Sequence, residues 1–199
     1  MKSLCLFFGL ILTFSLQSQS LTATISGQIK TAQGELIGGV TVELLDENGQ
    51  TVAASYNNAN YTLTNVPTGQ SYTIRINKPG AVLNGVSTFD IVLLHKFILA
   101  IDASLNPYQL IAGDVNQSGT LTTRDIVYMR SLVLGLTNTL PDNGNWRFFP
   151  TGLTFQNPQN PFFDLGSTSH VIQVDGNISD LNYTGVKLGD VNDTALPSE

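Results

Sequence analysis

The run D-V-N-Q-S-G-T-L-T-T-R-D, from Asp114 to Asp125, narrows what this chain can fold into more than any other stretch. It puts oxygen-bearing side chains on alternate positions, Asp114, Asn116, Ser118, Thr120 and Thr122, and closes on a carboxylate, Asp125. Gly119 falls at the centre, where a loop that turns its oxygens inward needs a positive φ. Leu121 is apolar and can pin the loop to a core. Ile126, Met129 and Val133 follow at helical spacing, so Asp125 belongs to the first turn of a helix, where its charge is favoured. Alternate oxygens, a central glycine and an acid at the twelfth position fit a hard divalent cation, and about six to eight oxygens suit Ca2+. The expected ligands are Asp114, Asn116, Ser118, Thr120 through its carbonyl, and Asp125, with Thr122 acting through water or not at all. The alternative is an Asx turn that caps the helix without metal.

Composition agrees with a cation ligand. The net charge is −6 with few charged residues, which argues against nucleic acid as a partner. The opening run M-K-S-L-C-L-F-F-G-L-I-L-T-F-S-L-Q-S-Q-S reads as a secretory signal peptide over residues 1–20. Lys2 supplies its positive end, Leu4 to Leu16 its short apolar run, and Ser18 and Ser20 the small residues for cleavage. The expected location is therefore secreted, extracellular or cell-surface. No later stretch is long and apolar enough to span a membrane. Cys5 is the only cysteine, so the mature chain forms no internal disulfide and metal becomes the expected staple.

From Leu21 to Lys78 apolar residues alternate in short runs: Ile25 and Ile29, Val40, Val42 and Leu44, Tyr61 and Leu63, Tyr72, Ile74 and Ile76. Turn signals separate them, at Gln33-Gly34, Glu47-Asn48-Gly49 and Pro67-Thr68-Gly69. This predicts a small all-β sandwich of prealbumin or immunoglobulin-like type over 21–78. The runs G-Q-I-K-T-A-Q-G-E-L-I-G-G-V-T-V-E-L and N-Y-T-L-T-N-V-P-T-G-Q-S-Y-T-I resemble carboxypeptidase regulatory-like and Cna-B-like domains. The resemblance implies a spacer or stalk on a secreted protein.

Residues 79–199 change character. Helices are expected at about 87–101 and 122–136, each opening on a hydroxyl residue and an acid three positions on, Ser87 with Asp90 and Thr122 with Asp125. The two are an internal repeat: Thr88, Asp90, Ile91, Val92 and Leu99 recur as Thr123, Asp125, Ile126, Val127 and Leu134. Ahead of Asp90 the oxygen pattern fails, with Pro79, Ala81 and Leu83 at the first three ligand positions. Near the other end, G-D-V-N-D-T repeats G-D-V-N-Q-S with no helix after it. One half-loop lacks its beginning and the other its end. They are expected to meet as a split second calcium site of Asp90, Asp190, Asn192 and Thr194, with a carbonyl near Gly85 or Val86. A plain surface turn at Asp190 to Asp193 is the alternative.

The run from Gly113 to Gly135 resembles the type I dockerin repeat, which implies an α-helical EF-hand-like dockerin module. It also implies a cohesin-like partner, met through Thr88, Phe89, His95 and Lys96 in one unit and Thr123, Arg124, Arg130 and Ser131 in the other. Residues 137–199, rich in aromatic residues, are expected to form a long loop-rich extension wrapping the helices. Neither His95 nor His170 sits in a hydrolase motif, so no enzyme is expected. The fold class read is therefore multidomain, a small sandwich followed by a helical calcium module. The function read is a non-catalytic attachment module in an extracellular, polysaccharide-degrading assembly. The alternative is a carbohydrate-binding, adhesin or stalk fragment whose calcium is only structural.

Overall fold

The computed structural model describes residues 21–102, 104–142, 144–165 and 170–198. The signal peptide read at 1–20 lies outside the described residues. Five strands come from the first part: β1 (Thr22–Thr31), β2 (Thr41–Leu45), β3 (Thr51–Ser55), β4 (Asn60–Pro67) and β5 (Gln70–Asn77). Three helices follow, α1 (Thr88–Ile98), α2 (Pro107–Gly113) and α3 (Thr123–Val133). Then come β6 (Trp146–Pro150), a 3-10 turn at Pro161–Asp164, β7 (His170–Val174) and β8 (Tyr183–Lys187).

The strands form two four-stranded sheets, in the orders β4-β1-β8-β6 and β3-β2-β5-β7. Alternation along β1, β2, β4 and β5 turns Ile25, Ile29, Val42, Leu44, Tyr61, Leu63, Tyr72 and Ile74 into one shared core. Val174 of β7 and Tyr183 of β8 complete it. β8 runs parallel to β1, with Ile29 against Tyr183. β7 runs antiparallel to β5, with Tyr72 against Ile172.

This arrangement corrects the expected fold class. The described chain is mainly β, with eight strands and only three short helices, and no separate helical EF-hand-like dockerin module follows the sandwich. The expected loop-rich extension instead gives β6, β7 and β8, and the sheets run across the boundary read at Lys78. The physical reason is pairing. Without β8 and β7, β1 and β5 would present open edges, and Tyr183 and Val174 would leave gaps in the core.

The helices are tied to the outer face of the first sheet. α2 packs Ile111 and Ala112 on Phe149 of β6 and Val186 of β8. A further core joins Leu94 of α1, Leu110 of α2 and Met129 of α3 to Leu188 and Val191, just after β8. The segment from Leu188 onward therefore runs beneath the helix starts, which positions the site. Among the described residues no helix is long and apolar enough to cross a membrane.

Candidate functional site: two oxygen-lined loops

The first loop begins where α2 ends, at Asp114, and finishes in the first turn of α3. The Asp114 carboxylate is fully buried. Its Oδ1 accepts from Ser118 N at 2.9 Å and its Oδ2 from Gly119 N at 2.8 Å. Asn116 Oδ1 also accepts from Ser118 N, at 3.0 Å. Ser118 Oγ donates to the Thr120 carbonyl at 3.1 Å. These bonds curl the chain inward, and Gly119 takes φ 77°, as the turn requires. Thr122 caps α3, its Oγ1 accepting from Arg124 N at 3.2 Å.

Asp125 closes the loop with only half its valence used. Its Oδ2 accepts from Thr122 N at 3.0 Å and Thr122 Oγ1 at 3.2 Å. Its Oδ1 is buried and has no hydrogen-bond partner among the described residues. A buried carboxylate oxygen left unpaired is costly, and buried polar atoms are otherwise almost always paired. Burial pushes the Asp114 carboxyl above its usual range; the N–H groups of Gly119 and Ser118 pull it down, and the Asp125 charge pushes it up again. Two close buried carboxylates want a cation.

The second cluster is assembled from distant parts of the chain. Asp90, in the first turn of α1, is fully buried. Its Oδ2 accepts from Ser87 N and Ser87 Oγ, both at 2.8 Å, closing the capping box. Its Oδ1 accepts from Val191 N at 2.8 Å and Asn192 N at 3.1 Å. Asp190 repeats the role of Asp114: its Oδ1 accepts from Thr194 N at 3.0 Å and its Oδ2 from Ala195 N at 2.8 Å. Thr194 Oγ1 lies 3.3 Å from the Gly85 carbonyl and 2.6 Å from Asn192 Oδ1.

The Asn192 amide is the telling group. One end of it faces three oxygens, Asp90 Oδ1 at 3.2 Å, Asp190 Oδ1 at 2.8 Å and Thr194 Oγ1 at 2.6 Å. An amide nitrogen turned to that end has two hydrogens for three acceptors. An amide oxygen there makes a fourth converging oxygen, which is what a hard cation gathers. Burial raises the Asp190 carboxyl, and the Asp90 charge raises it further.

The structure thus brings Asp114, Asn116, Ser118, Thr120 and Asp125 into one loop, and Asp90, Asp190, Asn192 and Thr194 into another. Both offer only oxygen, with two carboxylates each. Among the described residues no group of three or more His, Cys, Asp or Glu is placed to hold a metal.

Two cationic residues were not anticipated. Lys187 of β8 is buried, and its Nζ donates to the carbonyls of Val82 at 2.9 Å and Leu188 at 3.0 Å. Burial lowers it to about 8, against the pull of Asp190 and Asp90. Arg147 of β6 feels Asp114 and Asp142 in the same way, burial lowering it and the acids raising it. Lys187 stands three residues before Asp190, but nothing in that spacing marks it as buried; Arg147 comes near the first loop from β6, far from it in sequence.

The eight residues read as partner contacts lie on α1 and α3. Thr88, Phe89, Lys96, Thr123, Arg124 and Arg130 are exposed. His95 and Ser131 are half-buried, with His95 Nδ1 at 3.0 Å from the Ile91 carbonyl and Ser131 Oγ donating to the Val127 carbonyl at 2.9 Å. A groove of about 310 Å³ between the helices is lined by Thr88, Ile91, Val92, His95, Arg130, Val133 and Leu134. Compared with known proteins, the chain matches no protein-family model and no curated protein.

Proposed function

We propose that this chain is a secreted, non-catalytic attachment protein that holds two calcium ions and docks a cohesin-like protein domain on the α1 and α3 face. The observation that carries the calcium reading is the unpaired, buried Oδ1 of Asp125 beside a second buried carboxylate. The convergence of Asp90 Oδ1, Asp190 Oδ1 and Thr194 Oγ1 on the Asn192 amide extends it to the split loop. The likeness of Gly113 to Gly135 to dockerin repeats also supports it.

Both helices open on a loop carboxylate, Asp90 or Asp125, at the third helical position. The groove between them is lined by the first turns of α1 and the end of α3. Two of its lining residues, Val92 and Leu134, are exposed apolar side chains, and Phe89, Leu99 and Val127 are also exposed on or beside the two helices. Calcium bound to the folded chain alone, at about a hundred times its dissociation constant, stabilises it by roughly 2.7 kcal/mol.

Calorimetry on the mature chain should give two calcium ions. Asp125→Asn should remove one and Asp190→Ala the other. One ion, lost only with the first loop, discards the split site; none, with a melting temperature unmoved by chelator, discards the whole reading. Capture of cohesin domains in calcium but not in chelator tests the docking half. The second reading, a carbohydrate-binding or stalk protein with structural calcium, is favoured by a cleft of about 330 Å³ whose lining includes Trp146, Phe148 and His170.

A further inference from the structure

The two loops differ in what the protein itself already satisfies. In the first, Asp125 Oδ1 is buried without a partner among the described residues. In the split loop every carboxylate oxygen has one. Asp90 accepts from Ser87 N and Oγ on one oxygen and from Val191 N and Asn192 N on the other. Asp190 accepts from Thr194 N on one oxygen and Ala195 N on the other. An ion entering the first loop relieves a desolvated oxygen, whereas one entering the split loop shares oxygens that are already bonded.

Resident charge separates the loops further. Lys187 ends β8, and Asp190 N donates to the Lys187 carbonyl at 3.3 Å, so the lysine and the carboxylate stand on one turn. The lysine is buried, and its Nζ donates to the carbonyls of Val82, ahead of α1, and Leu188, after β8. Those two segments lead into the two half-loops of the split site. The lysine therefore clasps the halves together without calcium, and its positive charge feels both Asp190 and Asp90.

The first loop has a looser neighbour. Arg147 is half-buried, with its guanidinium 5.2 Å from the centre of the Phe149 ring. Of that loop's two carboxylates it feels only Asp114, and among the described residues it makes no ion pair. A resident cation repels an arriving Ca2+, most strongly where both are out of water. Calcium loops span roughly nanomolar to millimolar affinity according to ligand charge and rigidity, so one extra buried charge moves a loop within that range.

We propose that the loops fill in order: the first holds calcium as a lasting structural ion, and the split loop, weakened by Lys187, is a lower-affinity site whose occupancy follows the surrounding calcium concentration. The proposal rests on the calcium reading of both loops. The split loop belongs with extracellular modules, at roughly 10⁻⁴–10⁻³ M, and the first loop binds at least about tenfold more tightly. Asp90 lies in the first turn of α1, whose Thr88, Ile91 and His95 line the groove, so the weaker ion acts on the helix proposed for docking.

Calorimetry with calcium chloride on the mature chain at pH 7 tests the order. Lys187 is charged there, since burial lowers it only to about 8. Asp190→Ala leaves the first loop to be read alone, and Asp125→Asn the split loop. The split loop should bind at least about tenfold more weakly. Lys187→Gln removes the charge and keeps an amide donor for the carbonyls. It should tighten the split loop about tenfold and leave the first loop unmoved. Equal affinities in the two single-loop variants, or a tighter split loop, overturn the proposal and leave the calcium reading intact. So does a Lys187→Gln chain that binds no more tightly, or that tightens both loops alike. If Lys187→Gln does not fold, the two single-loop variants decide alone. A split loop silent at millimolar calcium, beside a first loop that binds, discards the split site and the proposal together; silence in both discards the calcium reading itself.

Discussion

Lys187 is the residue on which the metal-free molecule depends most visibly. It is buried beside Asp90 and Asp190, yet its Nζ donates to backbone carbonyls, so the fold carries a cation near the acids without a direct ion pair. Burial lowers it from 10.5 to about 8. A group lowered on folding is held preferentially neutral, so the unfolded chain binds more protons between the two values and stability rises with pH there. Below about 8 the lysine is charged in both states and that gain is lost. The upper end of the window is set by tyrosine. Burial raises Tyr183 to about 12 and Tyr61 further still, so above about 10 the unfolded chain ionises tyrosines that the fold keeps neutral, and stability falls. Chelator-treated chain should therefore gain on the order of 2 kcal/mol from about pH 8 to 10. Urea unfolding at stepped pH measures it, and Lys187→Gln should flatten the rise. A wild-type curve that is level over that interval, or a variant that tracks it, counts against this account.

At the scale of elements, the tie between the start of α1 and the segment after β8 rests on close backbone approach. Gly85 takes φ 75°, and a Cβ on it would stand 2.6 Å from Ala195 N and 2.7 Å from Ala195 Cα. Asn84 adds a two-way bond to Leu196, accepting from its N and donating to its carbonyl, each at 2.9 Å. Gly85→Ala should cost about 2 kcal/mol or more, from the left-handed backbone and the displaced segment together. Limited proteolysis should release residues beyond Asp190 faster than from wild type. Gly34→Ala is the control, since it has φ 91° with nothing within 4 Å; equal losses in both would mean the close approach does not matter. The same elements show what the sequence made legible. α1 and α3 could be read because their capping boxes and apolar spacing are local, and β1, β2, β4 and β5 because buried apolar residues alternate with exposed or half-buried ones along them. β8 could not, since all five of its residues are buried and no alternation marks it. α2 is seven residues, too short for a period to register. The first loop was legible because its oxygens fall within one twelve-residue run, Asp114 to Asp125. The second had to be inferred from two matching fragments; Lys187 was missed because no local signal marks a lysine on a fully buried strand, and Arg147 because it lies far in sequence from the first loop.

For the whole molecule, interdependence replaces the expected chain of modules. The sandwich takes β6, β7 and β8 from beyond the helices, and the helices rest on β6, β8 and the segment after β8. Cutting at the boundary read from the sequence severs both. Residues 21–78 alone would keep β1 to β5 but expose the β1 edge that Tyr183 to Gly185 covers and the β5 edge that His170 to Val174 covers. They would also lose Tyr183 and Val174, whose burial is worth about 2–3 kcal/mol each. A chain of about 60 residues is marginal even with its core complete, and this one has neither disulfide nor metal loop to compensate. The 21–78 fragment should therefore fail to fold cooperatively, with poorly dispersed amide resonances and no sigmoidal thermal transition. Residues 79–199 alone should fare no better: calcium should not rescue a helical unit whose Ile111 and Ala112 pack on β6 and β8, strands whose sheet needs β1. Mixing the two fragments in calcium should restore dispersion if the sheets can reassemble in trans. A 21–78 fragment that unfolds sharply on its own, with a dispersed spectrum, would show that the added strands decorate a self-sufficient sandwich, and the integrated fold would have to be given up.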